Sequence, residues 1–112
     1  MAVWQIAAGE TGRDYSSLCI KYDLVLIGPG SPGPYNEEVY SNVNDVNEND
    51  RKRVRTFCTG PKPGDLVLLR LGREAKAVGI IPDDKDAQYE WRKEFDDVLG
   101  WELQHTRRVI WD

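Results

Sequence analysis

Residues 60–81 have the sequence GPKPGDLVLLRLGREAKAVGII, which carries the strongest structural signal in the chain. The first six residues have the composition of a turn, and the apolar run Leu66–Leu71 that follows is typical of a strand. Residues 72–73 (GR) then supply a tight turn, after which residues 75–81 are largely apolar again. The stretch therefore predicts a β-hairpin.

Two further apolar runs predict buried strands. Residues 3–8 (VWQIAA) form the first, and the glycine-containing loop 9–12 follows it. Leu24–Ile27 (LVLI) forms the second, which we expect to be a central strand. Residues 28–35 (GPGSPGPY) are so rich in glycine and proline that they can form neither a helix nor a strand ladder. A structured loop is therefore expected directly after the second run.

Two helices are predicted by helical spacing of apolar residues. Asp14 is expected to cap the first, whose apolar stripe consists of Tyr15, Leu18, Cys19 and Tyr22. Asn49 or Asp50 is expected to cap the second, which runs to about residue 58. Its core-facing side chains are Val54, Phe57 and Cys58. Residues 36–50 are polar and are expected to be partly ordered.

The last part of the chain is predicted to be β-structure. Residues 89–98 and 101–111 are expected to be strands, with Gly100 as a bulge or kink between them. Alternate residues of the last strand share one face, namely Trp101, Leu103, His105, Arg107, Val109 and Trp111. The order of elements indicates an α+β fold, in which one curled mixed sheet closes around the strands at 24–27, 66–71 and 75–81.

Length and charge limit the class of protein. The 112 residues fit one domain over residues 1–112, and the apolar run that ends one residue before the C-terminus suggests a domain excised from a longer protein or a very compact one. Lys and Arg number 15 against 19 Asp and Glu, and the net charge of −4 excludes a uniformly basic nucleic-acid-binding surface. Two local basic groups remain, consisting of Arg51, Lys52, Arg53 and Arg55 on the second helix and Arg107 and Arg108 on the last strand.

Membrane association and export are not indicated. No apolar stretch approaches the roughly 20 residues of a membrane span, and the N-terminus lacks a basic region followed by an apolar run. We therefore expect a cytoplasmic protein without a membrane partner.

Metal and cofactor sites are not indicated either. Cys19 and Cys58 are the only cysteines, and no His or Cys lies at metal-ligand spacing from them, so we interpret them as reduced core thiols. Asp83, Asp84 and Asp86 lack the glycine and the distal glutamate of a calcium loop and are interpreted as a charged turn. We expect no metal and no cofactor.

Four short motifs together resemble PUA-like domains. They are WQIAAGE at residues 4–10, Ile27-Gly28 at a strand end, KPGDLVL at residues 62–68 and VGI at residues 78–80. Within that superfamily the chain resembles the EVE-like group, which includes specificity modules fused to modification-dependent restriction endonucleases. The resemblance covers nearly the whole chain and implies a pseudo-barrel built from a curled mixed sheet and two or three short helices.

The same resemblance implies a function. It implies a pocket that accepts one methylated or hydroxymethylated base flipped out of double-stranded DNA, in the specificity domain of a restriction or defence system with a fused or associated nuclease. Relatives often carry an aromatic residue directly after the Ile-Gly strand end, where this sequence has Pro29. Either Tyr35 or another ring replaces that aromatic residue, or the pocket accepts a different base.

The candidate pocket lies between the 9–12 loop, the 28–35 loop and the residues around position 101. Stacking on a flipped base requires rings, and Tyr35, Trp101 and Trp91 are the candidates. Glu10 is a candidate acceptor for an exocyclic amino group, although a surface carboxylate is the plainer interpretation. His105 is a candidate contact to the base edge or to phosphate, with a hydrogen-bonded core histidine as the alternative.

Arg107, Arg108 and Arg53 are the candidate phosphate contacts. Adjacent strand residues point to opposite faces, so at most one of Arg107 and Arg108 lines a pocket. We expect a binding module and not an enzyme. The alternatives are a binder of RNA or of a modified nucleoside, and a small amidohydrolase like those of the related ASCH group, with Glu10 or Glu102 as general base.

Overall fold

The computed structural model describes residues 1–10, 12–31, 33–42, 47–83 and 89–112. The strands are β1 (Val3–Ala7), β2 (Gly9–Glu10), β3 (Arg13–Asp14), β4 (Leu24–Ile27), β5 (Leu66–Leu71), β6 (Glu74–Ile80), β7 (Glu90–Trp91), β8 (His105–Arg108) and β9 (Ile110–Trp111). The helices are α1 (Ser16–Tyr22), α2 (Glu37–Asn42) and α3 (Glu48–Thr59), and a 3-10 turn covers Lys93–Phe95. This content confirms the predicted α+β class.

The strands form two main sheets. One is four-stranded and mixed, in the order β1-β5-β6-β9, with β1 parallel to β5. The other is three-stranded and antiparallel, in the order β4-β8-β7, while β2 and β3 form a short ribbon. Within the described residues the two main sheets share no strand and do not close into a barrel. The expectation of one sheet around 24–27, 66–71 and 75–81 is therefore wrong, because β4 pairs with β8 at the edge of the second sheet.

The predicted β-hairpin is present as β5 and β6. Gly72 adopts a φ of +60° in the turn, a conformation that glycine reaches without strain. The strands pair from Leu66 opposite Ile80 to Leu71 opposite Glu74, so the return strand begins and ends one residue earlier than predicted.

Asp65 joins β1 to the hairpin. Its carboxylate accepts hydrogen bonds from the Ala2 N–H (3.0 Å), the Trp4 indole N–H (2.9 Å) and the Lys62 N–H (2.9 Å). These donors lower the pKa of Asp65 to about 2, with the Trp4 bond contributing most. The KPGD phrase therefore has a structural role, since it fixes the parallel strand beside β5.

The helices follow the predicted stripes but differ at their ends. The N-cap of α1 is Tyr15 and not Asp14; Asp14 lies one residue earlier and accepts the N–H of Ser16 at 2.8 Å. The cap of α3 is Asn47 and not Asn49 or Asp50, because the Asn47 side chain accepts the Asp50 N–H at 2.8 Å and donates to the Asp50 carboxylate at 2.9 Å. The helix α2 was not predicted; its buried Tyr40 anchors a polar segment to the core.

The C-terminal region departs most from expectation. Residues 89–98 and 101–111 do not form two long strands, because Leu99 and Gly100 both adopt positive φ and make a tight turn in which Val98 and Trp101 exchange backbone hydrogen bonds. Gly100 is therefore part of a turn and not a bulge. The predicted alternation does not hold in burial, because Gln104 and Thr106 are buried together with Leu103, His105 and Arg107; within residues 103–110 only Arg108 and Ile110, on either side of the buried Val109, are exposed. In the described part of the chain, no helix is long and apolar enough to cross a membrane.

Candidate functional site

A cleft of about 1150 Å³ opens between β1, α3 and two loop segments, residues 28–29 and 100–103. It lies where the sequence placed a pocket, because the 9–12 loop contributes Gly9 and Glu10, the proline-rich loop contributes Gly28 and Pro29, and Trp101 closes one side. Loop backbone and an indole ring therefore face the same space.

The Trp101 ring is held in one orientation. The Tyr15 ring packs against it edge-on, with 6.0 Å between centroids and 83° between planes. The Arg13 guanidinium lies 4.8 Å from the centroid of the indole ring. Trp101 is half-buried, so part of the indole remains accessible from the cleft.

The Gly28 backbone lies very close to the backbone of Glu102, the residue that follows Trp101. A Cβ atom at Gly28 would lie 2.0 Å from the carbonyl oxygen of Glu102, so only glycine fits there. The Gly28 carbonyl accepts a hydrogen bond from the Arg53 guanidinium. Arg53 thereby ties α3 to the loop that forms the opposite wall of the cleft.

The charges around the cleft are of both signs. Its lining contains the cations Lys52, Arg53 and Arg70 and the carboxylates Glu10, Asp50 and Glu102. Lys52 pairs with Glu48 at 3.4 Å on the exposed face of α3, whereas Arg53 makes no ion pair with any described residue. The Arg53 charge is therefore the one on α3 best placed to act on a ligand.

Tyr35, Trp91 and His105 do not line the cleft. They lie together in a separate cluster with Tyr40 and Tyr89, in which Trp91 packs edge-on against the imidazole at 5.1 Å between ring centroids. The expected contact of these three side chains with a bound base is therefore wrong for this cleft. The proline-rich loop turns Tyr35 toward the Tyr40 ring, 5.2 Å away between centroids.

His105 is the hydrogen-bonded core histidine of the alternative interpretation. It is 0% exposed, with Nδ1 2.7 Å from the Tyr89 hydroxyl and Nε2 3.2 Å from the Tyr40 hydroxyl. Tyr40 donates its own proton to the Gly33 carbonyl at 2.8 Å, so its oxygen accepts from Nε2–H. Tyr89 accepts the Tyr35 N–H at 2.9 Å and donates to Nδ1. The network assigns the Nε2–H tautomer to a neutral His105, and burial lowers the pKa of His105 to about 4.

The two adjacent arginines point in opposite directions, as strand geometry predicts. Arg107 is 4% exposed and donates to the carbonyls of Phe57 (3.1 Å), Cys58 (3.1 Å) and Pro61 (2.8 Å). It satisfies carbonyls at the end of α3 that no helical N–H can reach. The prediction of a phosphate contact is therefore wrong for Arg107. Arg108 is exposed but lies outside the cleft lining.

Sequence reasoning missed two parts of the cleft wall. Gln5 is the single polar residue within the first apolar run, and it lines the cleft from the edge of β1. Thr56 is the second; it lies one helical turn after Lys52 of the predicted basic group and lines the same cleft as Arg53. Two features of the sequence could have indicated these lining residues: a polar residue inside an apolar strand, and a polar face on the second helix.

The described residues contain no group of three or more His, Cys, Asp and Glu that could hold a metal ion. Asp84 and Asp86 of the predicted charged turn lie outside the described residues. Cys19 and Cys58 are free thiols, and burial raises the pKa of each to about 12. Neither is therefore a thiolate at neutral pH.

Comparison with known proteins identifies a family whose function is not described. No curated protein sequence and no solved structure matches the chain. A family described as Domain of unknown function (DUF8426) matches residues 4–112, and the chain therefore belongs to that family.

Proposed function

We propose that the protein is a nucleic-acid-binding module whose cleft accepts a modified base flipped out of a DNA duplex. The observation that carries this proposal is the half-buried Trp101 ring, fixed by Tyr15 and Arg13, in a cleft that also contains loop backbone and the cation of Arg53. A flipped base needs a flat apolar surface for stacking and a few polar groups for its edge. The cleft supplies both.

The size of the cleft supports a ligand larger than a free base. Pockets for small molecules enclose roughly 300–1000 Å³, and this cleft of about 1150 Å³ lies above that range. A base that enters with its sugar and phosphate attached makes use of the additional space. Glu10, at the end of β2, is the acceptor proposed for an exocyclic amino group.

The charge distribution supports a local contact with phosphate. With a net charge of −4, attraction to DNA comes from the few cations around the cleft, with Arg53 and Lys52 at its α3 wall. We therefore expect a modest salt dependence, on the order of two to four phosphate contacts.

We also propose a PUA-like fold of the EVE-like group and a role in a restriction system. The motifs WQIAAGE, which includes most of β1, and KPGDLVL, which leads into β5, support an EVE-like, PUA-like domain. A domain of this kind acts as the cytoplasmic specificity module of a restriction system, with a fused or associated nuclease as its effector.

The test is a titration with matched duplexes that differ at one base. Unmodified cytosine, 5-methylcytosine, 5-hydroxymethylcytosine and N6-methyladenine are compared, beside a single-stranded RNA of the same sequence. We expect one modified duplex to bind at least tenfold more tightly than its unmodified partner. Equal and weak binding to all duplexes would contradict the proposal, as would preference for RNA. Turnover of a modified nucleoside that Glu10→Gln or Glu102→Gln abolishes would assign an amidohydrolase instead.

A further inference from the structure

The strand β1 is an edge strand of the four-stranded sheet, and its residues line the cleft. It lies at one end of that sheet, and among the described strands it pairs with β5 alone. Four consecutive residues, Trp4, Gln5, Ile6 and Ala7, line the cleft. Because successive strand residues point to opposite faces, a cleft that touched one face of β1 would contact only alternate residues. The cleft therefore runs along the unpaired backbone edge.

The ladder to β5 shows which backbone groups point to that edge. The Leu66 N–H donates to the Ala2 carbonyl at 3.0 Å, and the Ala8 N–H donates to the Arg70 carbonyl at 2.7 Å. In a parallel pair, the residues that bond to the neighbouring strand alternate along the chain. The even-numbered residues of β1 therefore face β5, and Val3, Gln5 and Ala7 direct their N–H and C=O groups the other way.

The Tyr15 hydroxyl confirms this direction and limits how much of the edge is free. It donates to the Ala7 carbonyl at 3.3 Å, and Tyr15 itself lines the cleft. Val3 is outside the cleft lining. By this alternation the N–H and C=O of Gln5 face away from β5, and outside the ladder neither group hydrogen-bonds to a described residue. Within the cleft, Gln5 thus presents the complete free pair of a backbone donor and a backbone acceptor.

We infer that the backbone N–H and C=O of Gln5 recognise the edge of the bound base. In an extended strand these two groups lie side by side and point the same way, which matches a planar ring with a neighbouring acceptor and donor, as on the Watson–Crick edge of a base. Gln5 is exposed, so binding exchanges water for the base at these two groups. This inference rests on the proposed function of the cleft.

A base fits this edge better than an extended peptide does. A peptide that adds a strand needs several successive free pairs along the edge. Here Tyr15 occupies the Ala7 carbonyl and Val3 lies beyond the cleft, so one pair remains, which suits a single ring. The cation of Arg53 on the α3 wall also favours a ligand that carries phosphate.

Proline substitution tests the inference because it removes one N–H. Gln5→Pro removes the free donor without breaking a bond to β5, since proline is tolerated where the N–H faces away from the ladder. Val3→Pro removes the equivalent N–H outside the cleft and is the matched control. We expect Gln5→Pro to weaken binding of the preferred modified duplex at least threefold while Val3→Pro binds like wild type, with both variants melting near wild type.

A second variant removes the same donor without the proline ring. A synthetic 1–18 thioester ligated to a 19–112 fragment at Cys19 allows an ester to replace the Gln5 amide. Loss of one hydrogen bond lowers affinity by about three- to tenfold. If both Gln5 variants bind duplex as tightly as Val3→Pro, this inference is wrong while the proposed function stands. If wild type binds no duplex, both fail. If Gln5→Pro instead abolishes binding of a (Thr-Val)₃ peptide and leaves duplex binding unchanged, the edge binds a peptide strand.

Discussion

The buried guanidinium of Arg107 allows a sharp test of how the second sheet is joined to α3. Three of its hydrogen bonds reach the carbonyls of Phe57, Cys58 and Pro61, all at the end of α3 or just beyond it. Arg107→Met keeps an apolar stem of similar length and removes every donor. The three carbonyls then lose their charged partner in a buried site.

The expected loss of stability is large for a domain of this size. Hydrogen bonds to charged groups contribute about 1.5–3 kcal/mol each but do not add independently, so we expect a loss of about 3–5 kcal/mol. For a small domain this corresponds to a fall in Tm of roughly 10–25 °C. Since small domains have total stabilities of about 5–15 kcal/mol, the variant remains measurable at low temperature.

Urea unfolding followed by tryptophan fluorescence, together with a thermal melt followed by circular dichroism, measures the change. The matched control is Arg108→Met, at the exposed neighbouring position, where we expect a change within about 0.5 kcal/mol. If Arg107→Met loses less than about 1 kcal/mol, or no more than Arg108→Met, the structural role of this guanidinium is refuted.

Three further predictions concern the cleft and the buried histidine. Trp101→Ala should weaken duplex binding by about 1–3 kcal/mol in a titration while the variant still unfolds cooperatively; a variant that is unfolded at 25 °C would make Trp101 a core residue instead. Arg53→Ala should reduce the slope of log Kd against log salt by about one, whereas Arg108→Ala should leave it unchanged, and the reverse result would place phosphate on the other face. The unfolded chain protonates His105 near pH 6.5 and the folded protein near pH 4, so its contribution to stability is complete above pH 6.5 and is lost as the pH falls toward 4. We expect a loss of roughly 2–4 kcal/mol across this interval by urea unfolding, and a flatter pH profile for His105→Gln; equal profiles would contradict the assignment.

Local features of the fold were predictable because neighbouring residues encode them. The hairpin follows from Gly72 between two apolar runs, and the apolar stripe of α3 follows from Val54 and Phe57 at helical spacing. Strand pairing was not predictable in the same way. β1 lies parallel to β5 because Asp65 accepts hydrogen bonds from Ala2 and Trp4, more than 60 residues earlier in the chain, and no local pattern reveals such contacts.

In the candidate site, too, local features were predictable from the sequence and the arrangement of distant residues was not. The loops rich in glycine and proline contribute Gly9 and Gly28 to the cleft that Trp101 also lines, whereas Tyr35 of the second loop does not line it. Alternation placed Trp101 and His105 on one face, but the chain leaves the strand conformation between them. Trp101 therefore reaches the cleft while His105 enters the core, because residues 102–104 lie outside any strand, where the sequence predicted one continuous strand.

The most direct test of base binding in the cleft is a two-dimensional ¹H–¹⁵N NMR titration of the protein with the preferred modified duplex. We expect the shifts to concentrate on the Trp101 indole N–H and on the backbone amides of Gln5, Gly28 and Arg53, which all belong to residues lining the cleft. Val78 and Ile110, which are exposed on the four-stranded sheet and do not line the cleft, should be unaffected. Shifts that concentrate on Val78 and Ile110, with the Trp101 indole unchanged at saturation, would contradict base binding in the cleft.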